Sequence, residues 1–149
     1  MLLLGFFFLL RPGEYAYTSN PDAAPFRLCD VRLLINARQL NPITANTDDI
    51  DRVNFVALEF TTQKNGVRGE LVGLGKSGHP QWCPVRALLN RIKHLRTHQA
   101  PPTTPLYAFF HHHWQRVDTQ ILTHYLRTSV NVLGATYGIT PSDISVRSL

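Results

Sequence analysis

A chain of 149 residues with 44% hydrophobic content has enough material for one domain with a real core, and no shift in composition divides it. Its 15 lysines and arginines against 10 aspartates and glutamates give a net charge of +5 and a pI near 9.6, which suits a polyanionic partner. Two cysteines are too few for a disulfide framework or a zinc site, and no run of five like charges marks a disordered tail, so a soluble domain that is merely basic stays open on charge alone.

The chain opens on Met1-Leu2-Leu3-Leu4-Gly5-Phe6-Phe7-Phe8-Leu9-Leu10. This stretch lacks a basic leader and a small-residue cleavage site, and it is about half the length of a membrane span. A short helix apolar on all sides is expected in a core rather than a membrane, and a chain starting inside one is expected to be cut at its front end. Pro12 disfavours helical geometry at Arg11, so the helix is predicted to end there and to leave Arg11 at a boundary facing a cleft. Residues 16–27 read as a loop. Residues 31–38 are β-prone, and a second polar loop follows through Asp51.

Residues 53–62 form the clearest predicted strand, with Phe55 and Ala57 on one face and Val56, Leu58 and Phe60 on the other. Asn65-Gly66 is a turn signal, and residues 68–74 return as a partner strand, so Lys64 is predicted at a hairpin tip. Pro84 opens the strongest helix, with Val85, Leu88, Leu89, Ile92 and Leu95 on one stripe. Its other faces carry Arg86, Arg91, Lys93, His94 and Arg96, a surface suited to a DNA backbone, although a solvated face is the commoner reason for such residues. Pro101, Pro102 and Pro105 mark a linker before a short apolar strand or turn at 106–110. Asp118 is a predicted N-cap for a helix holding Ile121, Leu122, Tyr125, Leu126, Val130 and Leu133, with Gly134 as its stop.

Three chemical motifs invite a test. Gly73-Leu74-Gly75-Lys76-Ser77 resembles the end of a phosphate-binding P-loop, but Glu70 stands where the motif's first glycine belongs, and Gly78-His79-Pro80 continues a loop where a helix should start. A nucleotide site is rejected, leaving Lys76 as a non-specific phosphate contact. His111-His112-His113 does not converge on one ion if the residues alternate along a strand, so an exposed turn between Phe110 and Trp114 is expected and no metal. Arg11 presents a guanidinium fork that matches two phosphate oxygens, with Glu14 three residues on as a partner that orients it or as a purely structural mate.

Arg11-Pro12-Gly13-Glu14 after an apolar helix, Leu28-Cys29-Asp30-Val31, the Gln63-Lys64-Asn65-Gly66 hairpin, Cys83-Pro84-Val85 and Ser145-Val146-Arg147-Ser148-Leu149 occur in an order that resembles the catalytic domain of tyrosine recombinases. The similarity is to the Crypton-like group of eukaryotic mobile elements and spans nearly the whole chain. It implies an α+β fold, mainly helical with a small antiparallel sheet around the Lys64 hairpin, and incomplete. In that family a tyrosine attacks a DNA phosphodiester to give a 3′-phosphotyrosine, with neither metal nor nucleotide cofactor. Arg11 then corresponds to the first phosphate-gripping arginine, Lys64 to the general acid towards the departing 5′-oxygen, and Arg147 to the His-or-Lys position of the second box. In an alternative register, Thr140-Pro141-Ser142-Asp143 starts that box.

The second-box arginine, the third-box His or Trp and the nucleophilic tyrosine would fall beyond Leu149, and Tyr15, Tyr17, Tyr107, Tyr125 and Tyr137 read as core or loop aromatics. The family's separate N-terminal DNA-clamping domain is also missing. The expectation is therefore a partial catalytic domain over residues 1–149 that binds double-stranded DNA but does not turn over alone. The resemblance further implies an oligomer on DNA for a full-length protein, and a nuclear location in a eukaryotic host. The competing expectation is a non-catalytic DNA-binding module that uses Arg86, Arg91, Lys93 and Arg96, with Lys76 nearby.

Overall fold

Alternation of branched and aromatic residues between positions 31 and 60 produces the centre of the fold. The computed structural model describes residues 1–61 and 68–148. Strands β1 (Val31–Ile35), β2 (Arg38–Leu40), β3 (Phe55–Phe60) and β4 (Glu70–Gly75) form an antiparallel sheet in the order β2-β1-β3-β4. The register sets Val31 opposite Leu58, Leu33 opposite Val56, and Leu58 opposite Val72, so one face presents a continuous apolar row. Val31, Leu33, Val56 and Leu58 on that row are fully buried. On the opposite face Arg32 pairs with Glu59, and the Phe55 ring lies on Gly73, where an added Cβ would come within 2.4 Å of it. Lys64 and its Asn65-Gly66 turn lie outside the described residues, although the arms of that hairpin, β3 and β4, pair from Phe55–Gly75 to Phe60–Glu70.

Helices cover the apolar face. The first helix, α1 (Leu2–Phe7), and α4 (Pro84–Thr97) pack on each other, and α4 also contacts β3 and β4. Leu4, Phe8, Val85, Leu88, Ile92 and Leu95 join the sheet residues in one core, as the stripe along α4 requires. Between the sheet strands, α3 (Thr47–Arg52) is capped by Asn46, whose side chain accepts the Asp49 N–H at 2.6 Å. With helix and antiparallel sheet both present, the fold is α+β, mainly helical around a small sheet.

Several predicted boundaries move, each for a local reason. The first helix stops at Phe7 rather than Arg11, because Leu10 N–H bonds the Gly5 carbonyl and Leu9 turns left-handed at φ 52°. Arg11 is instead the extended N-cap of a separate turn, α2 (Pro12–Tyr15). The predicted strand at 31–38 is a hairpin, turned at Asn36 with φ 54° and held by the Asn36–Asn54 side-chain bond. Gly134 does not end the last helix: α5 (Thr119–Tyr137) runs on to Gly138, which takes the left-handed cap at φ 65°. Gly134 is needed for another reason, since a Cβ there would meet the Ile139 carbonyl oxygen at 2.4 Å.

The three histidines sit at the tip of a second hairpin, β5 (Ala108–His111) with β6 (His113–Arg116), and His112 turns it at φ 60°. This hairpin is moored to α4 by polar groups. Arg91 donates to the Ala108 carbonyl, His98 stacks on Phe110 at 4.5 Å, and His94 Nε2 accepts the Phe110 N–H at 2.9 Å. Accepting that bond requires a neutral imidazole, and burial, then Arg91, then His98 lower the His94 pKa below 6.5. The unfolded chain thus binds a proton that the folded one resists. Stability should fall as pH drops below 6.5 towards the folded value, by at most about 1.4 kcal/mol per pH unit, and level off beneath it. Urea denaturation across pH 7 to 5 checks this, with His94→Gln expected to flatten the slope; an unchanged slope would assign it to other groups.

Candidate phosphate-binding cleft

The boundary at Pro12 and the last turn of the chain meet in space. Arg11, Gly13 and Glu14 from α2, Thr18, Asn20 and Asp22 from the following loop, Thr119 at the start of α5, and Val146 and Arg147 line one cavity of about 690 Å³. Arg11 and Arg147, 136 positions apart, are therefore brought to the same cleft. Neither guanidinium has a hydrogen-bonded or ionic partner among the described residues, and both are exposed. Thr119, Val146 and Arg147 also line an adjoining cavity of about 540 Å³ with His124 and Arg127, so the cleft continues along α5.

Glu14 does not orient the Arg11 guanidinium. Its Oε2 accepts the backbone N–H of Arg11 at 2.7 Å and closes the first turn of α2, leaving the arginine fork free. The cleft's walls are fixed from beneath by Tyr15, which is buried and donates its hydroxyl to the Val146 carbonyl at 2.9 Å. Burial pushes its pKa up to about 12, so the hydroxyl keeps its proton. The loop after α2 is pinned as well: Tyr17 N–H bonds Val117 O at 2.9 Å, Thr119 N–H bonds Tyr17 O at 3.1 Å, and Arg116 lies over the Tyr17 ring. Asp118 caps α5 as its sequence position predicts, accepting the Ile121 N–H at 2.7 Å.

The cations of α4 divide into two sets. Lys76, Arg86 and Lys93 line a separate cavity of about 490 Å³ with Asp51, His79, Cys83 and Asn90, and Lys93 pairs there with Asp51. Arg91 and Arg96 turn inward instead: Arg91 reaches the Ala108 carbonyl, and Arg96 donates to the Ala45 carbonyl at 2.6 Å. Burial lowers the Arg91 pKa to about 10. These two arginines moor loops and are withdrawn from the backbone-binding surface expected of the helix. Cys83, at the N-cap position of α4, is buried, which by itself raises its thiol pKa, yet the nearby polar groups of Arg86, Ser77 and Val85 leave it lowered.

None of the five tyrosines lines the Arg11–Arg147 cleft: Tyr15 lies beneath it, Tyr17 under Arg116, Tyr107 edge-on to Tyr17 at 6.3 Å, and Tyr125 and Tyr137 are exposed on α5. Among the described residues, no group of three His, Cys, Asp or Glu is arranged to hold a metal, and no helix is long and apolar enough to cross a membrane. No protein-family model matches the chain, nor does any curated protein or solved structure.

Because the Tyr15 hydroxyl is the buried link between the two arginine-bearing segments, Tyr15→Phe should cost about 1 kcal/mol by leaving the Val146 carbonyl short of a donor. Chemical denaturation measures the loss. Backbone amide exchange should rise at residues 145–148 and stay level in β3; equal rises in both would show that the bond does not serve this junction in particular.

Proposed function

We propose that the chain is part of a DNA breaking-and-rejoining domain of the tyrosine recombinase kind, and that its own residues bind a DNA phosphodiester without cleaving it. The observation that carries this reading is the convergence of Arg11 and Arg147 on one cleft, because the resemblance puts Arg11 at the family's first arginine and Arg147 at the His-or-Lys position of its second box. Two unpaired guanidiniums facing one cavity can bind the non-bridging oxygens of a phosphate and stabilise charge that develops there. Thr18 and Thr119 add hydroxyls that can donate to the same group. Cleavage by the family chemistry would need a tyrosine from outside these residues, since none lines the cleft.

The local charge balance sets the strength. Two carboxylates, Glu14 and Asp22, line the cleft beside the two arginines. Glu14 is engaged with the backbone, but Asp22 is exposed and opposes a bound phosphate. Binding should therefore be weak and strongly salt-dependent; the adjoining stretch along α5 has no acidic lining residue, but Arg127 there donates Nε to the Ile144 carbonyl at 3.1 Å and keeps only the rest of its fork for a phosphate.

A second reading, a non-catalytic DNA-binding module, is favoured by the separate cavity lined by Lys76, Arg86 and Lys93. The two readings part under mutation. With duplex DNA in an anisotropy titration, Arg11→Ala and Arg147→Ala should each weaken binding about tenfold and reduce the salt slope by about one unit. Asp22→Asn should strengthen it about twofold. Arg86→Glu should change it little. If Arg86→Glu abolishes duplex binding while Arg11→Ala leaves it unchanged, the basic-helix reading replaces the cleft.

A further inference from the structure

The loop between β4 and α4 joins a cationic cavity to an exposed aromatic ring. Lys76, at the end of β4, and Arg86, on the first turn of α4, line the cavity and have no acidic partner among the described residues. Lys93 lines it one face further along, paired with Asp51, its only acidic lining residue. Pro80 and Cys83 also belong to the wall, and Trp82 between them is 57% exposed. An indole left this open costs solvation and offers a large flat π-face on the loop whose Pro80 and Cys83 line the cationic cavity.

The ring is held there by its own loop. Ser77 Oγ donates to the Trp82 carbonyl, and His79 Nδ1 accepts the N–H groups of Gln81 at 3.2 Å and Trp82 at 3.1 Å. Buried Cys83 follows at the N-cap position of α4, and Pro84 opens the helix. The backbone on both sides of Trp82 is thus bonded within the loop, and the side chain stands out from a pre-ordered turn. A rigid aromatic platform next to a cation-lined groove is the arrangement that takes a polynucleotide whose bases are unstacked. Duplex DNA cannot use it, because its base faces are already stacked on one another.

We propose that Lys76, Trp82 and Arg86, with Lys93, form a binding surface for single-stranded DNA, in which a base stacks on Trp82 while adjacent phosphates lie in the cationic cavity. The Ser77 hydroxyl and His79 Nδ1 are committed to the loop, so the surface offers contacts to base faces and phosphates, both of which DNA supplies, in preference to contacts with a ribose 2′-hydroxyl. This inference goes beyond the Arg11–Arg147 reading and does not rest on it. The two sites share no lining residue.

The test is a titration of the full chain with fluorescein-labelled oligothymidylate of about twelve nucleotides, a length within the range covered by compact single-strand sites. Trp82→Ala should weaken binding at least about fivefold and Trp82→Phe by less than about threefold, since a phenyl ring still stacks. Lys76→Glu and Arg86→Glu should each weaken it about tenfold or more. In a Trp114→Phe protein, where Trp82 is the sole tryptophan, the unlabelled oligonucleotide should quench its fluorescence. Arg86→Glu should lower the affinity for oligothymidylate at least about fivefold more than the affinity for duplex DNA, which separates this surface from the cleft. Equal binding by wild type and Trp82→Ala overturns the proposal, as does an equal loss of oligothymidylate and duplex affinity with Arg86→Glu, equally effective competition by duplex DNA, or tighter binding of oligouridylate than of oligothymidylate.

Discussion

The hydroxyl of Tyr15 holds together two parts of the chain that the sequence sets 131 positions apart. Its ring needs Gly5 beneath it, where an added Cβ would lie 2.9 Å from the phenol carbons, and its oxygen reaches Val146 in the last turn. Around that bond the Arg11 turn and the Arg147 turn become two walls of one cleft. The cost of burying a phenol is offset because its hydroxyl has an acceptor and its ring fills space between α1 and α2. Without the bond, the final turn would rest on burial of Val146, on the Arg127 Nε bond to the Ile144 carbonyl at 3.1 Å and on the weak contact of the Val146 N–H with Thr123 Oγ1 at 3.4 Å.

Arginine serves two purposes in this fold, and the distinction lies in what each fork meets. Arg27, Arg91 and Arg96 complete the backbone or a carboxylate: Arg27 grips the buried Asp30 through Nε and Nη2, and the other two satisfy carbonyls at the ends of loops. Such arginines fix geometry and have little capacity left for a ligand. Arg11, Arg86 and Arg147 are exposed and unpaired among the described residues, each on the wall of a cavity. A basic pI therefore overstates the charge available to a partner, since part of it is consumed in holding the hairpin β5–β6 and the loop before α3 in place.

Much of the architecture was legible because periodicity and caps are local. The stripe from Val85 to Leu95, the alternation along Val56, Leu58 and Phe60, and the caps at Pro84 and Asp118 all follow from a few neighbouring residues. The errors arose where the chain turns left-handed without glycine, at Leu9 and Asn36, and where a glycine, Gly134, is required by a neighbouring carbonyl rather than by a helix end. In the cleft, Arg11 and Arg147 could be named from motif order, but the role of Glu14 could not, because a carboxylate three residues on can bond the backbone as readily as the side chain. Tyr15, Thr18 and Thr119 carry no sequence signal of their own. Only the return of the last turn to α2 brings them into the site.

A double-mutant cycle on duplex DNA affinity tests directly the proposal that Arg11 and Arg147 hold the same phosphate. Removing either arginine from a shared contact should leave the other with much less to gain. With a shared phosphate, the Arg11→Ala, Arg147→Ala double variant binds little more weakly than either single variant, a coupling of roughly 1 kcal/mol or more. Losses that simply multiply, with no coupling, would mean that the two arginines touch different parts of the DNA and would contradict the cleft as a single phosphate site.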